Sequence, residues 1–252
     1  MITNNILTET DARKVIAQLG MYSVVEYEKD ISVGPASAQT AYFMGKMGCR
    51  KRQVLATLNN QGIILQAGAM QIISGNVDMN TNVKGAGDLF KKMVGGKVTG
   101  ESGIKPRYFG SGQVLLEPTY KYILLEDLSK WGGAMTIEDG LFLACDDTVD
   151  LKVTSRANFS SAALGGEGLF NSTLIGNGIA VLESPVPSHE LLVFDLNNDV
   201  LKIDGNMAIA WSHSLQFTVE RSSRSLVGSA ASGEGLVNVY RGTGRVLVAP
   251  VS

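Results

Sequence analysis

The stretch YFGSGQVLLEP at 108–118 is followed by two others of the same outline, LIGNGIAVLES from Leu174 and YRGTGRVLVAP from Tyr240. Each places a glycine, a small polar residue and a second glycine before a mostly apolar run. The first glycines are Gly110, Gly176 and Gly242, 66 residues apart each time (176 − 110 and 242 − 176). A fixed period of that length marks an internal repeat. Ser111-Gly112, Asn177-Gly178 and Thr243-Gly244 read as two-residue connections that tolerate positive φ, so Gly110, Gly112, Gly176, Gly178, Gly242 and Gly244 are the expected structural turns of three hairpins. The runs after them, such as QVLLE and IAVLE, are apolar at nearly every position and predict strands buried on both faces.

A second echo reinforces the first. IEDGLFLAC from Ile137 and KIDGNMAIAW from Lys202 place Asp139-Gly140 and Asp204-Gly205, both hairpin signals, 65 residues apart (205 − 140). A weaker copy, NNQGIILQA around Gly62, extends the pattern towards the amino terminus. The pattern predicts an all-β chain of three repeated modules in a pseudo-threefold arrangement. The first covers 21–102 with a glycine-flanked insertion at 83–102, the second 103–167, and the third 168–252 with the closing strands. The last motif lies close to the carboxyl end, so its missing half is expected from the strands at the beginning of the chain, closing a ring.

Two helices are expected beside the strands. In 1–20, Thr8 or Thr10 can cap a run that aligns Ala12, Val15, Ile16 and Leu19 before Gly20 ends it. In 83–102, a short helical face carries Leu89, Phe90, Met93 and Val94, with Lys91 and Lys92 set apart. That face either caps the sheet or contacts a partner subunit or a membrane surface, and these four residues are the candidate contact. TAYFMGKM, from Thr40, reads as strand.

Charge and chemistry narrow the function. With 22 basic and 24 acidic side chains the chain carries −2, which argues against a dedicated nucleic-acid partner. The one dense basic run, CRKR at 49–52, reads as a solvated strand edge. Cys49 and Cys145 form no close pair, and no basic leader or apolar span occurs, so a reduced, cytoplasmic protein is expected. The two histidines, His189 and His213, make no metal cluster, and Ser212 beside His213 would point to the opposite face of a strand. At Gly96-Lys97 a phosphate loop fails, because position 91 is lysine where glycine is required. No catalytic residue, metal ligand or cofactor site is therefore expected, and the chain does not read as an enzyme.

GEGLFNSTLIGNGIAVLES, GEGLVNVYRGTGRVLVAP, LQAGAMQIISGNVDMNT and IEDGLFLAC, taken together, resemble the family named for altered inheritance of mitochondria, a mitochondrial biogenesis family, over nearly the whole chain. That family is similar in fold to the tryptophan RNA-binding attenuation protein, a small rolled β protein that forms rings. The resemblance implies three fused attenuator-like units, each a short double-stranded β-helix or rolled sandwich, and further association into a homo-oligomer. It brings no catalytic residues. No Lys or Arg recurs at equivalent points of the repeats, so RNA binding is not expected. Two functions follow: a non-enzymatic oligomeric assembly or scaffold protein, linked through its eukaryotic relatives to membrane organisation, with a peripheral membrane or protein partner; or a small-ligand binding protein using clefts between modules.

Overall fold

A computed structural model describes residues 2–80, 105–155, 170–221 and 236–250. The chain is all-β, and the described residues form two curled sheets with one α-helix. The first sheet contains β1 (Arg13–Leu19), β2 (Tyr22–Tyr27), β3 (Arg52–Leu65), β8 (Phe142–Asp146), β11 (Ile179–Ser184) and β6 (Tyr122–Asp127) in that order, with β5 (Arg107–Leu116) on β3 and β4 (Met70–Asn80) on β5. The second runs β12 (Leu192–Asp204), β15 (Leu236–Val248), β13 (Ala208–Ser212), β7 (Ala134–Glu138), β10 (Phe170–Gly176) and β9 (Val149–Ser155), with β14 (Gln216–Arg221) also on β15. The helix, α1, is Ala38–Lys46.

The expected amino-terminal helix is a strand. Burial along β1 alternates strictly, with Val15, Ala17 and Leu19 half-buried and Lys14, Ile16 and Gln18 exposed. Gly20, at φ 55, turns the chain so that β1 pairs antiparallel with β2. A helix would have placed Ile16 beside Ala12 and Leu19; the ladder to β2, whose Tyr22 and Val24 are buried, outweighs that weak helical stripe. The opposite correction applies at 40–47, which lies mainly in α1 and in no strand.

The glycine pairs are not hairpin turns. Ser111-Gly112 and Thr243-Gly244 lie inside the uninterrupted strands β5 and β15. Gly110 at φ 145 and Gly242 at φ 118 bend those strands, and the neighbours shift register beside them, β3 between Asn59 and Gln61 and β12 between Leu196 and Asp199. At the middle copy the break is complete: β10 ends at Gly176, at φ 140, and Asn177-Gly178 carries the chain across to β11 in the other sheet. Glycine supplies a permitted left-handed bend in each case, but only the neighbouring strands decide whether the ladder continues past it. The Asp-Gly pairs do make tight turns, with Gly140 (φ 80) between β7 and β8 and Gly205 (φ 65) between β12 and β13. Neither closes the expected hairpin, because β7 and β8 lie in different sheets and β12 and β13 each pair with β15 instead of with each other.

The closing strand is also completed differently from the expectation. β15 pairs with β12, β13 and β14, and no strand from the first 80 residues joins its sheet. The sheets meet through one buried cluster, to which the first contributes Leu124, Ala180 and Leu182 and the second Met135, Ile137 and Leu174. Each sheet has a further cluster of its own, and that of the second holds Trp211, Phe217 and Tyr240 with ring centroids 5.2 to 5.4 Å apart. The 83–102 insertion, with Leu89, Phe90, Met93 and Val94, and the module boundaries at 103 and 168 lie outside the described residues.

Candidate functional site: an apolar sheet edge and a surface helix

Leu192, Val193 and Phe194 begin β12 and are 47%, 53% and 38% exposed. β12 ends its sheet, and β15 is the one strand it pairs with among the described residues. Pairing proceeds through Leu192 with Val248, Val193 with Leu247, Phe194 with Val246 and Asp195 with Arg245. On β15 the three apolar partners are buried, because β13 covers its far side. Asp195 takes a two-pronged contact from Arg245, at 2.7 and 3.0 Å, which holds its carboxyl below the usual range. Beyond Leu196 the apolar stretch ends, since Asn198 adopts φ 52 and the ladder slips.

The second surface surrounds α1. None of its residues is buried, and Tyr42, Phe43 and, just past its end, Met47 are 60%, 57% and 79% exposed. Ile31, in the preceding loop, is 81% exposed. Clefts of about 560 and 300 Å³ flank the helix, the larger lined by Asp11, Lys14, Tyr42 and Lys46, the smaller by Ser37, Thr40, Met44 and Tyr120. A belt of ion pairs anchors its base. Arg50 reaches Glu26 at 2.9 Å and Glu28 at 2.7 Å, and Lys51 reaches Asp30 at 2.7 Å. Lys51 and Ser32 together hold the Asp30 carboxyl down to about 2.

CRKR is therefore no solvated edge. Arg52 is 2% exposed, its guanidinium 2.6 Å from Glu26 and 3.9 Å above the Tyr122 ring. Glu26 and Glu28, on or beside the adjoining strand β2, absorb the positive charge that the run shows in isolation.

The groups capable of chemistry are dispersed. His213 is exposed, with Nδ1 3.3 Å from Thr136 Oγ1, and His189 is exposed in a short 3-10 turn. Ser212 is buried, and its Oγ accepts from the Arg245 amide. Cys49 is exposed and Cys145 buried, both as free thiols, and burial pushes the Cys145 thiol far up. Among the described residues, no three His, Cys, Asp or Glu side chains are placed to hold a metal.

Glu126 accepts from Trp131 Nε1 at 3.0 Å, and burial raises its carboxyl above the usual range. Because the folded value lies above the unfolded one, the stability this group contributes is full in acid and is lost as pH rises through the folded value. Glu126→Gln keeps an acceptor for Trp131 and removes the charge. It is expected to be more stable than the wild type at neutral pH, with the difference vanishing near pH 4, as read by urea denaturation at several pH values.

Gly110, Gly112, Gly242 and Gly244 thus lie at bends within strands, Gly176 and Gly178 at the crossing between the sheets, and the described candidate surfaces are ones the repeat did not reveal. For β12 a signal existed in ELLVFDL, an apolar run with no flanking basic residue and no glycine. For α1 the signal was Ala-rich helix-forming sequence following Ser37.

These features define an all-β protein whose described residues form two curled sheets, with an apolar edge that no described strand covers and a surface helix. The chain belongs to the mitochondrial biogenesis AIM24 family, which it matches over residues 47–251, in agreement with the motifs around its repeated glycines. It is 30% identical over 194 residues to an uncharacterized protein of Streptococcus pyogenes serotype M6, covering 74% of this chain and 75% of that one. A Streptococcus pyogenes protein of known crystal structure is 26% identical, with a TM-score of 0.59 over 82% of this chain and 90% of the other. No helix of the described residues is long and apolar enough to cross a membrane.

Proposed function

We propose that this chain is a non-enzymatic homo-oligomeric assembly or scaffold protein. The observation that carries this reading is the β12 edge, which no described strand besides β15 pairs, with its exposed Leu192, Val193 and Phe194. Backbone amides and carbonyls along an edge seek partners, and apolar side chains beside them favour a dry one. The α1 surface, with Tyr42, Phe43 and Met47, is the place for a second partner, a protein or a membrane face.

The body would comprise three versions of one module. β8 begins at 142 and β13 at 208, 66 residues later, the spacing that separates the bent glycines Gly110, Gly176 and Gly242. Both strands follow an Asp-Gly turn and both pair with the strand segment beyond a bent glycine, β11 or the end of β15.

A second reading, small-ligand binding, draws on the clefts of about 560 and 300 Å³ beside α1, the larger lined by residues within 11–50 and the smaller also by Tyr120. Native mass spectrometry of the whole chain separates the two. A defined oligomer without added mass is expected. A reproducible small adduct released on denaturation would favour the ligand reading, and a bare monomer at all concentrations would overturn assembly.

A further inference from the structure

The second sheet's apolar core runs out to its edge without being closed there. Leu196, Val246 and Val248 belong to one buried cluster. Leu192 and Phe194 lie on the same face as Leu196, since alternate residues of a strand share a side, and they stand directly opposite Val248 and Val246. Yet they are 47% and 38% exposed where their neighbours are 4% and 0%. The core face continues one strand further than its cover does.

The other edges of the described sheets are protected or carry no exposed apolar strip; β6, which ends the first sheet, has no exposed residue along its length and closes with Glu126-Asp127. β1 opens with Arg13-Lys14 and carries a register shift at Val15 and Ala17. β4 intersperses its exposed Ile72 and Met79 with Gly75, Asn76 and Asp78. β9 presents Asp150 and Lys152, and β14 ends in Glu220-Arg221. Charges, glycines and bulges of this kind block edge-to-edge pairing. Within 192–196 the one charge is Asp195, and Arg245 of the same chain already neutralises it. The second half of β12 regains protection through the bulge after Leu196, Asp199 and Lys202.

We infer that 192–196 pairs antiparallel with the same segment of a second copy, across a two-fold axis at Phe194, joining two sheets into one. This rests on the assembly reading above and names its interface. Antiparallel self-pairing is the closed solution for identical edges. Centring it on Phe194 uses all five residues before the bulge. Phe194 then faces its own equivalent, and Leu192 faces Leu196 of the second copy, so the apolar strip of one face continues across the junction. On the opposite face each Asp195 meets a Val193. Moving the axis to Asp195 would oppose two aspartates, which is unfavourable. Self-pairing is favoured over a foreign strand because in this register the segment opposes apolar residues to apolar ones on one face and brings no two charges opposite each other.

Two variants test it in the full-length chain. Directly opposed residues of an antiparallel pair have Cα atoms about 4.5–5.5 Å apart, within the span of about 4.4–6.8 Å that a disulfide bridges. Phe194→Cys, in a Cys49→Ser background, is therefore expected to form a covalent dimer on mild oxidation, seen on a non-reducing gel. Phe194→Lys sets two lysines directly opposite each other at the axis and is expected to raise the dissociation constant of the dimer at least about tenfold, read by sedimentation. Circular dichroism confirms that both variants fold. A wild-type oligomer that Phe194→Lys leaves intact, with no crosslink through position 194, would overturn this interface while leaving assembly standing on another surface. A wild type that stays monomeric would overturn both.

Discussion

Arg52→Met lowers the unfolding free energy by about 3–5 kcal/mol, the usual effect of removing one partner from a buried ion pair. The arginine is almost wholly enclosed, at 2% exposure, and holds several elements at once. Its guanidinium sits 2.6 Å from Glu26 on β2, donates to the carbonyls of Arg50 and Tyr120 at 3.2 Å, and covers the Tyr122 ring of β6. Its backbone meanwhile exchanges hydrogen bonds with Thr119. Deleting it leaves a nearly buried Glu26 carboxylate with only Arg50 for company, and two carbonyls without their donor. Urea denaturation should show a lower midpoint with an unchanged slope. Arg52→Met combined with Glu26→Leu should cost less than the two single changes added together, because the orphaned charge is gone. Additive losses would show that the ion pair is not what holds β2, β3 and β6 together.

The repeated glycines give the second large effect, and it differs between copies. At Gly110 a Cβ would lie inside the van der Waals envelope of Asn76 O, a backbone atom of the paired strand β4 that cannot move aside alone. At Gly242 the nearest atom to such a Cβ is Leu215 Cδ2, at an ordinary 3.8 Å. Both positions have positive φ, 145 and 118, so alanine is strained at each. Strain alone costs about 1–3 kcal/mol, and overpacking against fixed backbone adds about as much again. Gly110→Ala is accordingly expected to lose about 3–5 kcal/mol and Gly242→Ala about 1–3 kcal/mol. Equal losses in the two variants would mean that backbone strain, and not the packing of β4 on β5, governs both sites.

The glycine comparison also shows how far the repeat could be read. The motif marks where the chain must bend, because only glycine adopts those angles without penalty. It does not distinguish a hairpin from a kink. Asp139-Gly140 and Asp204-Gly205 became turns between successive strands that do not pair with each other, whereas Ser111-Gly112 and Thr243-Gly244 stayed inside strands, since β3, β4 and β12 continue the ladder beside them. The same holds at 13–19, where the apolar residues suit a helical face and an alternating strand almost equally well, and a partner strand chose between them.

Sequence alone determined the β class, the 66-residue spacing, the Asp-Gly turns and the family, because each depends on residues close together or on motifs in fixed order. Tertiary structure decided which apolar strand would be covered and which would lie at an edge. QVLLE and LVFDL are similar strings; Val114, Leu115 and Leu116 are buried between β3 and β4, while among the described residues Leu192, Val193 and Phe194 have a strand neighbour on one side only. Burial is a property of the partners that a strand acquires from distant parts of the chain. Those partners are set by sheet order, which local pattern does not encode.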